Sequence, residues 1–148
     1  MASAASALAQ DDKANSGAAD TASAAIHPIR DIPPHFAVPL PPASGKANIT
    51  YDTDIKPILD ANCVRCHLGS KPVKLHLDTR EGMLQGTKEG KVVIPGAPEK
   101  SWLVKLILYP DNETNSAWMP PQHLKTALKP LTKEQIGLII GWIKQGAN

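Results

Sequence analysis

The sequence predicts a small, mainly α-helical domain with short extended segments, preceded by an irregular N-terminal arm. Ile136, Ile139, Ile140 and Ile143 recur at helical spacing near the chain end. Apolar stretches of strand character are short, confined to Val73–Leu77 and Val92–Ile94. Residues 26–43 hold six of the chain's 14 prolines, which disfavours any packed element there.

Residues 1–25 are rich in Ala, Ser and Asp and poor in large apolar side chains, so a disordered tail is expected. Ala7-Leu8-Ala9 before Gln10 resembles the small-residue end of a secretory signal, without its charged start or apolar middle. An Ala-rich linker fits the same residues. Over residues 26–45, Pro28, Pro33, Pro34, Pro39, Pro41 and Pro42 interleave with Ile26, Ile29, Ile32, Phe36, Val38 and Leu40. That composition favours an extended, polyproline-like arm lying on a surface, the domain's own or a partner's.

The folded domain is expected over residues 46–148. Thr53 or Asp52 is placed to cap a helix with Ile55, Ile58 and Leu59 on one side, ending at Cys63. Pro57 is tolerable near its first turn. Val73, Leu75 and Leu77 alternate with Lys74 and His76, an extended stretch. Asp78 or Thr79 then caps a short helix through Gln85, stopped at Gly86. Val92-Val93-Ile94 is extended, and Pro95-Gly96 forms a turn. A helix is expected over 99–108 with Leu103, Leu106 and Ile107 inward, then a Pro-rich loop over 110–130. Thr132 and Gln135 form a capping-box pattern for the last helix, Leu131 and Ile136 a hydrophobic staple. Trp142 flanks its apolar face and Gly146 follows its end.

The 148 residues suffice for one modest domain. At 42% hydrophobic and only 4% aromatic residues, the chain is short of apolar mass for its core. The formal net charge of +2 is too weak to argue for nucleic acid. Residues 1–45 carry Lys13 and Arg30 against Asp11, Asp12, Asp20 and Asp31, a net of −2, and the rest of the chain nets +4. No run of 18 apolar residues exists, so no transmembrane segment is expected. Phosphate loops and paired-carboxylate sites are also missing, which argues against nucleotide binding and hydrolysis.

Cys63-Val64-Arg65-Cys66-His67 carries the chemistry. C-x-x-C-H is the attachment pattern for c-type haem. Each thiol can form a thioether with a haem vinyl group, and three-residue spacing puts both sulfurs on one face of a helical turn. His67 then follows as proximal ligand. A structural zinc site wants four ligands, and this chain has two cysteines in all. A thioredoxin-like pair would sit beside a strand, whereas the preceding segment reads as a helix. Two inert thiols remain as the plain alternative. A covalent haem would supply the missing apolar mass, the helical domain wrapping around it.

The sixth iron position decides the chemistry. Met1 is terminal and Met83 is expected in the core. Met119 lies in Trp118-Met119-Pro120-Pro121, where two prolines stiffen a non-helical segment. It is the favoured distal ligand, against a plain gap-filling role. His27, His35, His76 and His123 are read as solvated or locally bonded side chains.

Residues 51–147 resemble the planctomycete-type cytochrome c domain. The shared pattern is Asp54-Ile55-x-Pro57-Ile58-Leu59 running into Cys63-x-x-Cys66-His67, then Leu75-x-Leu77-Asp78. Val93-Ile94-Pro95-Gly96, Ser101, Met119-Pro120-Pro121, Trp142-Ile143 and Gly146-Ala147 complete it. Leu68-Gly69 departs from the pattern, since many relatives have Gly directly after the histidine. The resemblance implies one covalent haem c, with Cys63 and Cys66 attaching it and His67 and Met119 as iron ligands. It also implies a periplasmic or otherwise extracytoplasmic location.

The expected function is that of a single-haem electron carrier between redox proteins, not an enzyme. Lys71, Lys74, Lys125 and Lys129 can form a basic rim for an acidic partner, or be merely solvated. Two alternatives stay open: an open-site haem protein of ligand-binding or peroxidase type, and a subunit strapped by its arm to a membrane electron-transfer complex.

Overall fold

The computed structural model describes residues 39–69, 74–108, 118–121 and 129–148. The tail expected over 1–25, the arm as far as residue 38, and most of the loop over 110–130 lie outside these residues. The architecture is helical: four short α-helices, a π-helical turn and a 3₁₀ turn, with no strand among the described residues.

The first helical segment starts earlier than expected. Thr50, not Thr53 or Asp52, is the cap: it is extended, and its hydroxyl accepts from the Thr53 N–H. The Asp54 carboxylate reaches back to accept the Thr50 N–H at 3.0 Å. The chain then runs as a π-helical turn over Tyr51–Ile55 into α1, Lys56–Asn62. Pro57 explains the wide turn, because it has no N–H to close an α-type bond one turn back. Ile55, Ile58 and Leu59 are buried, as their spacing predicts.

Residues 75–77 belong to no helix or strand and have no ladder partner. Thr79 caps α2, Arg80–Gln85, accepting from the Gly82 N–H at 3.1 Å. Gly86 ends it at φ +75°, a conformation that favours glycine. Met83 is fully buried, in the core role expected of it.

The helix expected over 99–108 is divided. Pro98–Lys100 forms a 3₁₀ turn and Trp102–Ile107 forms α3. Ser101 makes the break: it is extended and fully buried. Its hydroxyl accepts from the Ile94 N–H at 2.9 Å and donates to the Ala97 carbonyl at 3.0 Å. A side chain that bonds local backbone competes with a continuous helix.

The last helix, α4, spans Lys133–Lys144 with the full capping box. The Gln135 N–H donates to the Thr132 hydroxyl at 3.3 Å, and the Thr132 N–H to the Gln135 side chain at 2.9 Å. Trp142, flanking the apolar face, is itself fully buried. Core lies on several sides of α4, because the chain's earlier segments wrap around it. The Tyr51 ring meets Trp142 at 5.9 Å, and the Gly96 N–H bonds the Ile143 carbonyl at 2.7 Å. Fully burying side chains of this size stabilises by about 1.5–3 kcal/mol each.

The segment before Thr50 is also held on α4. The Ser44 N–H donates to the Gly137 carbonyl at 2.8 Å. A Cβ on Gly137 would stand 3.0 Å from the Pro42 carbonyl oxygen, so glycine permits this approach. The Gln145 side chain accepts from the Ile49 N–H at 3.0 Å and donates to the Lys46 carbonyl at 2.9 Å.

Candidate haem-binding site

The end of α1 builds one wall of the site. The Cys63 N–H still bonds the Leu59 carbonyl at 2.7 Å, which continues the helix into the motif. The Cys66 and His67 N–H groups both donate to the Cys63 carbonyl, at 3.1 and 3.0 Å. This tight turn presents both thiols and the imidazole together. Cys63 is half-buried and Cys66 exposed.

His67 is held at both its backbone and its ring. Its carbonyl accepts from the Leu77 N–H at 2.8 Å. Its Nδ1 lies 3.3 Å from the Leu75 carbonyl oxygen. A carbonyl only accepts, so Nδ1 carries the proton and the Nε2 lone pair is left for another partner. Burial lowers the pKa of His67, with the bond to Leu75 acting in the opposite direction. Burial therefore favours the neutral ring, the form in which a histidine ligates a metal. Burial, reinforced by the neighbouring Cys66, raises the Cys63 thiol to about 11.

Cys63, Cys66 and His67 open onto an apolar cavity of about 360 Å³. This falls within the ~300–1,000 Å³ typical of cofactor pockets. Leu75 and Leu77 line one side, and Leu103, Leu106 and Ile107 of α3 another. Leu106 is only half-buried because it faces the cavity. Met119, Pro120 and Pro121 complete the lining. The Met119 N–H donates to the Leu106 carbonyl at 2.8 Å, tying this segment to α3. Trp118, fully buried, anchors it from the other side. The Met119–Pro120 peptide is cis.

All four residues singled out from the sequence thus meet at one cavity. The donor set fits a haem: two thiols at the C-x-x-C spacing, an imidazole with a free Nε2 and a thioether, in apolar surroundings. Among the described residues no cluster of three His, Cys, Asp or Glu side chains could hold a metal ion. His76 does not line the cavity. His27, His35 and His123 lie outside the described residues. Of the lysines considered for a rim, Lys74 and Lys129 are exposed. Lys71 and Lys125 fall outside the described residues. No helix among the described residues is long and apolar enough to cross a membrane.

Sequence reasoning missed the Leu75 carbonyl as a partner of His67. A backbone acceptor leaves no mark on residue type. The alternation of Leu75 and Leu77 was the available signal, since both line the cavity. The Tyr51 hydroxyl was missed as well. It is buried, donates to the Leu77 carbonyl at 3.2 Å, and burial raises its pKa to about 12.

No curated protein and no solved structure matches the chain. A family model described as Planctomycete cytochrome C matches residues 63–123, which include both cysteines, His67 and Met119. Over these residues the chain is similar to planctomycete-type cytochrome c domains.

Proposed function

We propose that this chain is a single-haem c-type cytochrome that carries one electron at a time between redox partners outside the cytoplasm. The observation that carries the reading is the meeting of Cys63, Cys66, His67 and Met119 at one apolar cavity. The Cys63 and Cys66 thiols hold the haem covalently through its two vinyl groups. A haem bound here supplies one-electron chemistry, its iron alternating between the ferric and ferrous forms. His67 contributes a neutral, oriented imidazole through Nε2. Met119 would contribute its sulfur as the second ligand, its backbone held by the Leu106 carbonyl. A thioether in place of a second imidazole raises the reduction potential. The apolar lining acts in the same direction, because the more highly charged state is harder to desolvate.

With His67 and Met119 both available to ligate the iron of a bound haem, the site would suit electron transfer. Electrons pass at the edge marked by the exposed Cys66. Lys74, exposed beside the lining residue Leu75, belongs to a basic rim that favours an acidic partner surface. An association rate insensitive to salt removes this rim from the account.

Mass spectrometry of the intact, matured chain tests the reading. A mass excess equal to one haem that survives denaturation is expected. Colourless protein without Soret absorption, or an excess of two haems, overturns it.

A further inference from the structure

We infer that Tyr51 is a positioning residue for the His67 imidazole, acting through Leu77. The inference rests on the reading of His67 as an iron ligand. Three bonds form a relay. The buried Tyr51 hydroxyl donates to the Leu77 carbonyl at 3.2 Å. The Leu77 N–H donates to the His67 carbonyl at 2.8 Å. The His67 Nδ1–H donates to the Leu75 carbonyl at 3.3 Å. Residues 75–77 thus grip His67 by backbone and ring, and Tyr51 grips residues 75–77.

The grip matters because residues 75–77 belong to no helix or strand. Their placement relative to the turn at the end of α1 depends on individual bonds and on the burial of Leu77. Tyr51 itself is rigidly supplied. It opens the π-helical turn, and its ring packs on Trp142 of α4 at 5.9 Å and 46°. The Trp142 Nε1–H in turn donates to the Asn148 carbonyl at 2.7 Å. A phenylalanine would fill the same apolar space, so what the hydroxyl adds is the bond to Leu77. A carbonyl that accepts from Nδ1 fixes the ring orientation and raises the basicity of the ligating nitrogen. Loosening residues 75–77 weakens that bond and makes the imidazole a poorer donor, which favours the ferrous form.

Tyr51→Phe in the holoprotein tests this. The expected results are a His67 Nδ1 proton that exchanges with solvent about fivefold faster, seen by NMR, and a reduction potential shifted upward. Ile143→Val is the control, since it thins the same core without touching the relay. It is expected to lower stability and leave both readouts in place. The inference is overturned if Tyr51→Phe leaves proton exchange and potential unchanged, or if Ile143→Val moves them equally. Coloured protein with unmoved His67 readouts removes the role of Tyr51 alone, whereas colourless wild-type protein removes the haem reading and this inference with it.

Discussion

The two walls of the cavity are held in different ways. Cys63, Cys66 and His67 occupy a single turn at the end of α1, tied by backbone bonds to Leu59 and Cys63. Met119 lines a second wall from a segment far along the chain, held by a bond to the Leu106 carbonyl and the burial of Trp118. The first wall is built by residues a few positions apart, with His67 further held by Leu75 and Leu77. The second exists only once α3 is in place. The wall that attaches the cofactor should therefore be robust, and the wall that fills the last iron position should yield first.

The largest test of this contrast removes the attachment wall. Replacing both Cys63 and Cys66 by Ala is expected to abolish covalent attachment, leaving any haem extractable into acidified organic solvent. Haem that stays bound through that extraction contradicts their assignment. Met119→Ala is the matching change on the other wall. The haem should remain attached while the ferrous protein gains a carbon monoxide adduct that the wild type does not form. A low-spin spectrum identical to wild type removes Met119 as ligand.

Trp118→Ala probes what holds Met119. Its side chain is 1% exposed, and such truncations cost about 3–5 kcal/mol. Denaturant titration should show the global loss, with carbon monoxide binding appearing at lower denaturant than in wild type. A cost below about 1 kcal/mol would mean that the segment is held by something other than core packing.

Alkaline titration tests the link between the first wall and the rest of the fold. Burial raises the Tyr51 phenol from its ordinary value of 10.0 to about 12. Between those values the folded chain keeps a proton that the unfolded chain releases. The associated stability is fully present below pH 10 and is lost as pH rises through about 12. Thermal melts of wild type should decline over that window more steeply than those of Tyr51→Phe. Parallel declines would assign the loss to other groups.

The smallest effect sharpens the comparison by touching neither wall. Thr132→Ala removes the side-chain half of the α4 capping box and should cost about 1 kcal/mol. The reduction potential and the carbon monoxide response should stay at wild-type values. A shift in either would show that the start of α4 is coupled to the site.

Much of the local structure was legible from residue types. The Thr132–Gln135 box, the Thr79 cap, the Gly86 stop and the Pro95-Gly96 turn all form as their residues predict. The errors share a cause. Thr50 takes the cap from Thr53 and Asp52 because Pro57 forces a wide turn before α1. Ser101 breaks the helix expected over 99–108 because its hydroxyl serves Ile94 and Ala97. Trp142, beside the apolar face, is buried because Tyr51 packs on that side of α4. In each case one specific neighbour decided between two locally acceptable conformations.

Residue order alone determined the turn that joins two thiols to an imidazole, since its bonds close within a few positions and need no distant partner. It also determined the caps and stops of the helices, for the same reason. Only the tertiary structure brought Met119 to the cavity, set the Leu75 carbonyl against the His67 ring and hung the Tyr51 hydroxyl on Leu77. Those contacts join segments widely separated along the chain, and they form because burying apolar side chains between helices outweighs the entropy of bringing such segments together.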